Sequence, residues 1–381
     1  MNIRGGLFSL VIGVILCVML AGCVTLPRSP FTWDEQASAS PPGFGQVRYA
    51  AEDEKLALML RQSLKPDSKG EVDALAISGG GANGAYGAGL LYGWSESGRR
   101  PQFQLVTGIS SGALLAPFAF LGPEWDDELR QAYFKPLVAH LTQPRLFSFL
   151  TPGLYGKAPL EELVRSQVSD KLINAVAAEH ARGRRLLVGT TNLDTQQLVV
   201  WDMGAIASKG GARARELFAT VLIASASVPG AYAPSMIDVE SAGHAFSEMH
   251  VDGQTEGAFF AIPQSLFLSK SVTPPPFHAH LFIIINGRVD RQFVVTPRSA
   301  IPILERTIDA GGKAAVRSVL LTTAQFCERT GCELSVSSLP ATVKDNSLDF
   351  DEAHLKSLFA AGEAGSMDGS GWQPATRALT P

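Results

Sequence analysis

Val106-Thr107-Gly108-Ile109-Ser110-Ser111-Gly112-Ala113 is the stretch on which the reading of this chain turns. Residues 103–106 before it are apolar enough for a short buried strand. Residues 111–121 after it, rich in Ala, Leu and Phe, have the length of a buried helix. Between the two, Gly108-Ile109-Ser110-Ser111-Gly112 has G-x-S-x-G spacing. A serine on so sharp a turn needs small residues two before and two after, so that backbone can pass backbone. Its hydroxyl then stands at the positive end of a helix. The same residues also suit an ordinary strand-to-helix turn with Ser110 or Ser111 as N-cap. Sequence further out separates these readings.

Upstream, residues 73–78 form a second strand signal, followed at once by Gly79-Gly80-Gly81-Ala82-Asn83-Gly84 and then a helical stretch over 90–97. A strand that enters a helix through glycines presents free backbone N–H groups at a positive helix end. Dinucleotide binding and oxyanion stabilisation both use this arrangement. Gly79, Gly81 and Gly84 satisfy G-x-G-x-x-G, but no carboxylate stands at the end of the next strand to hold a ribose, because that strand runs into Ser110. A Walker loop is excluded because no Gly-Lys-Ser/Thr follows. An oxyanion hole accounts for both loops: the glycines supply donors and the neighbouring strand supplies the nucleophile.

The remaining chain alternates strand and helix signals. Helices are expected over 54–64, 124–134, 159–179, 215–224, 301–325 (weakened at Gly311-Gly312) and 350–362, and strands over 184–190, 197–202, 278–286 and 333–337. Residues 136–152 read as an irregular covering loop, with a lid or membrane-facing element as the alternative. Met249-His250-Val251-Asp252-Gly253-Gln254 ends a short run in an Asp-Gly turn. Alternation of this kind, with reactive loops at strand ends, indicates an α/β domain with a mainly parallel sheet covered on both faces.

The chain has 381 residues, 46% hydrophobic and 18% charged, enough for a large core. Its net charge of -4 argues against nucleic acid as the main partner. Residues 1–22 read as a secretory signal peptide, with an apolar run from Leu7 to Leu20 and then Leu20-Ala21-Gly22-Cys23. Cleavage before Cys23 would leave that cysteine to carry lipid. An uncleaved spanning helix is the alternative, because the run is near the lower length limit. This end of the chain resembles bacterial lipoproteins, and Val24 in place of aspartate implies outer-membrane sorting. Residues 23–70, rich in Pro and Gly up to Gln46, read as a tether and a short helix. Residues 71–362 read as the folded domain and 363–381 as a frayed tail. Cys327 and Cys332 are expected to close a small disulfide loop in an oxidising compartment. No metal ligand set accompanies them.

Gly79-Gly80-Gly81-Ala82-Asn83-Gly84, Gly108-Ile109-Ser110-Ser111-Gly112 and Asp252-Gly253, in this order, resemble the patatin-like phospholipase family over residues 73–260. The intervening stretch from Ala224 to Gly230 is similar to a family segment near the substrate site. The resemblance implies a three-layer α/β/α patatin-like fold and a lipid acyl-ester hydrolase of phospholipase A or lysophospholipase type. It implies Ser110 as nucleophile, Asp252 as general base, Gly79, Gly80 and Gly81 as oxyanion donors, phospholipid as substrate and no cofactor. Two residues depart from the family: Asn83 stands where arginine is usual, and Gln254 where a small residue is usual. An aspartate is a weak base at its ordinary pKa near 3.9, so the dyad requires desolvation and a direct hydrogen bond. The rival assignment is a Ser-His-Asp triad using His278 or His280, which follow Asp252 in hydrolase order. His250 is a candidate supporting residue, on the same strand face as Asp252. Two other classes stand against an enzyme: a phosphate-binding module on the 79–84 loop and a non-catalytic envelope lipoprotein.

Overall fold

The computed structural model describes residues 28–143, 153–268 and 277–379. Cys23, the signal segment and residues 144–152 of the covering loop lie outside the described residues. Ten strands form one sheet: β1 (Arg48–Ala50), β2 (Glu71–Ile77), β3 (Leu105–Ile109), β4 (Arg185–Asn192), β5 (Gln197–Asp202), β6 (Ser235–Ser241), β7 (His244–Asp252), β8 (His278–Ile285), β9 (Glu333–Ser338) and β10 (Gln373–Pro374). The order is β1-β5-β4-β3-β2-β8-β9-β10, with the β6–β7 hairpin added to β4. The centre, β4-β3-β2-β8-β9, is parallel throughout. The flanks β1, β5, β7 and β10 pair antiparallel.

Successive strand residues face opposite layers, as the period of two requires. Ile77, Val106, Val188 and Ile284 pack on one face, against the helices Gly84–Glu96, Ser111–Leu121, Gly211–Ser225 and Glu352–Asp368. Ala76 and Ile283 pack on the other, against Val316 and Leu320 of the helix Ala300–Thr330. Ile109 and Leu187 share that second face with Leu56 and Leu60 of the helix Glu54–Ser63. The result is the expected three-layer α/β/α arrangement.

Several elements differ from the sequence expectation. The expected helix over 159–179 is two, Ala158–Gln167 and Asp170–Ala181. Ser169 caps the second by accepting the N–H of Leu172 at 3.2 Å. Gly311-Gly312 does not interrupt its helix, which runs unbroken for 31 residues. The tail from 363 packs: its helix continues to Asp368, Trp372 lies 4.5 Å from the Trp94 ring, and Gln373–Pro374 pairs with β9. Cys327 and Cys332 are joined in a disulfide.

The arm at 28–50, read as tether, is docked. Thr32 and Glu35 form a capping box for the short helix Trp33–Ser38, Phe31 stacks on Phe246 with ring centroids 4.4 Å apart, and Arg28 pairs with Asp194 at 2.7 Å. Arg48 is buried and pairs with the buried Glu248 of β7. Its guanidinium also donates to the carbonyls of Ala39 and Gln36. A buried guanidinium needs such compensation, and its partner lies too far along the chain to be read locally.

Candidate active site

Strand register brings the two key residues together. β3 ends with Ile109 opposite Gly189 of β4, and the next residue of β4, Thr190, pairs with Asp252 at the end of β7. The serine leaving β3 and the aspartate finishing β7 therefore arrive at one point.

Ser110 has φ 57° and ψ -127°, a strained backbone for a residue with a side chain. Its flanking glycines are required by contact: a Cβ at Gly108 would lie 2.4 Å from the Gly112 carbonyl oxygen, and one at Gly112 2.4 Å from that of Ile77. The buried Ser225 hydroxyl fixes the elbow. It accepts the Ser110 N–H at 3.0 Å and donates to the Gly189 carbonyl at 2.7 Å.

Ser110 Oγ donates to Asp252 Oδ2 at 2.5 Å. Asp252 Oδ1 accepts the Gln254 N–H at 2.8 Å, and the Asp252 N–H donates to the Ser227 carbonyl at 2.9 Å. Burial pushes the Asp252 carboxyl up to about 7, against the opposing hydrogen bonds from Ser110 and Gln254. A base with that pKa is half ionised near neutrality, where an ordinary aspartate would be too weak to take a serine proton.

Gly79 lies beside the serine: a Cβ there would fall 2.8 Å from Ser110 Cβ. A Cβ on Gly80 would fall 2.0 Å from the Asn286 carbonyl oxygen, and one on Gly81, at φ +56°, 2.2 Å from that of Ser347. Among the described residues no internal acceptor takes the N–H of Gly79, Gly80 or Gly81, so the loop offers donors. Asn286, at the end of β8, braces it. Its side chain donates to the Ser78 carbonyl at 2.8 Å and accepts the Gly87 N–H at 3.1 Å. Asn83 donates to Asp345 at 2.6 Å, and Asp345 lies 3.6 Å from the Lys313 ammonium. An amide and a carboxylate thus occupy the place where the resemblance led us to expect a guanidinium.

From Ser110 and Gly81 an apolar cavity of about 110 Å³ runs between helices, lined by Leu114, Phe118, Leu163, Leu222 and Tyr232 among others, with no charged side chain among the described lining residues. Such a wall suits a hydrocarbon chain.

The histidine candidates fall elsewhere. His278 and His280 pair with Glu71 and Asp73 at the start of β2, the opposite end of the parallel sheet from Ser110. His250 is fully buried, two residues before Asp252. Its Nδ1 lies 2.9 Å from Thr190 Oγ1 and its Nε2 3.1 Å from Glu248 Oε2. Both ring nitrogens are therefore engaged away from Ser110. Burial holds the ring below the usual histidine pKa. Glu248 stays below the carboxylate range because its bonds from His250 and Arg48 outweigh burial.

Ser225, Ser227 and Asn286 were not given these roles by sequence. The alternate serines after the helix Gly211–Ser225, and the lone amide ending an apolar strand, were the signals available. Among the described residues no group of three or more His, Cys, Asp or Glu side chains is arranged to hold a metal ion.

The fold and site are thus an α/β/α sheet with a serine elbow beside a glycine loop at one strand end. Residues 75–257 match the family model described as patatin-like phospholipase and form a domain of that family, one of lipid ester hydrolases. Among solved structures, VipD from Legionella pneumophila aligns over 93% of this chain and 73% of its own at 13% identity and TM-score 0.34. The type III effector protein ExoU aligns over 83% and 54%, at 13% identity and TM-score 0.33. Human GIVD cytosolic phospholipase A2 aligns over 73% and 52%, at 13% identity and TM-score 0.30. The chain thus spans about half the length of the latter two, and overlaps this loose carry no argument about its activity. No curated protein matches the chain.

Proposed function

We propose that this chain hydrolyses acyl ester bonds of phospholipid or lysophospholipid through a Ser110–Asp252 dyad. The observation that carries the reading is the 2.5 Å hydrogen bond from Ser110 Oγ to a fully desolvated Asp252, at the mouth of an apolar cavity. Asp252 takes the serine proton as Oγ attacks the ester carbonyl. The N–H groups of the 79–81 loop receive the developing oxyanion, where one lost donor typically costs about 3–4 kcal/mol. Asp252 then returns the proton to the departing alkoxide, leaving an acyl-serine. Water, activated by the same carboxylate, releases the fatty acid. The apolar cavity holds the acyl chain.

The site is proposed to work at the bacterial envelope, most simply at the outer membrane, with Cys23 as the lipidated first residue of the mature chain. Mass spectrometry of the N-terminal peptide tests this, and an unmodified Cys23 removes it. For the reaction, the test is labelling by a fluorophosphonate probe. The label is expected on Ser110 and absent from Asp252→Asn. A wild-type protein that neither labels nor turns over any phospholipid, lysophospholipid or short-chain ester overturns the reading.

A further inference from the structure

We propose that an apolar knob at 293–308, with the cationic cleft beside it, docks this domain on an anionic lipid bilayer. The choice of lipid as occupant rests on the hydrolase reading above. The docking itself does not use the serine.

Phe293, Val294 and Val295 are consecutive and 94%, 57% and 79% exposed. The first turns of the helix Ala300–Thr330 add Ile303, Leu304 and Ile308, each more than half exposed. The two segments are joined, because Arg306 donates to the Gln292 carbonyl. Single exposed apolar residues are ordinary on protein surfaces. A run of this kind joined to the overhanging end of a long helix marks a contact surface.

The charge around the knob specifies the partner. The chain as a whole is acidic, at -4, yet Arg291, Arg306, Lys313 and Arg317 line one cleft on this face against the single lining carboxylate of Asp309. Asp309 is already held by Arg306 at 3.0 Å and Lys313 at 2.8 Å. Arg291 and Arg298, which flank the Phe-Val-Val tip, form no ion pair among the described residues. An aromatic and aliphatic tip with a collar of arginines is the pattern that enters the boundary between acyl chains and anionic headgroups.

Position agrees with use at a lipid surface. The knob follows β8, and Asn286, the residue after that strand, braces the glycine loop at the C-terminal end of the parallel strands, the same end as Ser110. Lys313 of the same helix reaches Asp345, the partner of Asn83.

The test uses the full chain carrying Ser110→Ala, so that no substrate is consumed. Phe293→Trp is added as a reporter, and its emission is read as a difference from the Ser110→Ala parent. With phosphatidylglycerol-containing vesicles the emission is expected to move to shorter wavelength and to be quenched by brominated acyl chains. With pure phosphatidylcholine the shift is expected to be much smaller. Arg291→Gln and Arg298→Gln should each weaken the vesicle dependence about fivefold. A tryptophan that stays in water with both vesicles overturns the proposal. So does a shift that appears with rising protein concentration alone, which would make a second copy the occupant. In the active chain, Phe293→Ser is expected to slow hydrolysis of phosphatidylglycerol vesicles while leaving a soluble short-chain ester unaffected. Equal rates on the vesicles also overturn docking. A wild type inert on every ester, with the tryptophan shift intact, sinks the hydrolase reading alone.

Discussion

Two serines at opposite ends of the sheet each meet a titratable partner, and only one has the surroundings of a nucleophile. At one end Ser110 bonds Asp252. At the other, Ser335 Oγ lies 3.0 Å from His280 Nε2, and His280 Nδ1 lies 3.7 Å from Glu333, so that serine, histidine and carboxylate are all present. A carboxylate with a raised pKa is there too. Burial, aided by Glu71 and Asp67, pushes Asp73, the cross-strand partner of His280, up to about 6. Yet Ser335 sits within β9, paired with Phe282 on one side and Pro374 on the other. Its backbone belongs to the ladder, and the His280 ring is stacked on Phe282 with centroids 3.8 Å apart. Ser110 has left its strand, on an elbow beside an apolar cavity and glycines whose N–H groups have no acceptor among the described residues. The difference teaches that residue types do not make such a site. A strand end with free backbone donors does.

The largest effect separates these two ends. Ser110→Ala should lower kcat/KM for a short-chain ester by about 10⁴-fold or more, and Asp252→Asn nearly as much. Ser335→Ala and His280→Ala should leave it essentially unchanged. A folded, inactive His280→Ala with an active Asp252→Asn would reverse the comparison.

Next is the stability of the strand that carries Asp252. Arg48→Met leaves Glu248 buried without its cation and should cost about 3–5 kcal/mol in denaturant unfolding. Adding Glu248→Leu should recover much of it. A loss below about 1 kcal/mol for Arg48→Met would mean that the docked arm contributes nothing to this end of the sheet.

Protonation sharpens the contrast further. A base of pKa about 7 predicts that kcat/KM falls about tenfold per pH unit below neutrality. For stability the sign is opposite. The folded state holds the Asp252 proton more tightly than the unfolded chain, so stability falls as pH rises from 3.8 to about 7. Asp252→Asn should therefore gain on the wild type across that window, by up to about 4 kcal/mol. An unchanged difference between the two melting curves would disprove the raised pKa.

The smallest effect lies beside the inactive end. Reducing the Cys327–Cys332 bond, just before β9, should cost ~2 kcal/mol and leave kcat/KM for a soluble ester intact.

What the chain discloses before folding follows the same division. The glycine loop, the serine turn and the Asp-Gly turn are local chemistry, and each stands at a strand end where it was expected. The β6–β7 hairpin was not expected, although its signal was local: Ile237 and Val239 alternate with Asp238 and Glu240 before Ala242-Gly243. Ser169-Asp170 likewise carried a helix-start signal that the expectation of one helix over 159–179 passed over. The Arg48–Glu248 pair was not readable, because its partners are 200 residues apart. Nor was Trp372, whose anchoring to Trp94 and Phe282 exists only once three distant segments meet.

The docked arm has a spatial consequence for an anchored protein. Arg28 is fixed to Asp194, so if Cys23 carries the lipid, only four residues of sequence separate it from the docked arm. Fully extended, that span cannot exceed roughly 17 Å. On that reading the domain is not held on a long tether, as its proline-rich beginning suggests. It stays close to the bilayer, sampling lipids within a lateral neighbourhood set by its own diffusion in the membrane plane.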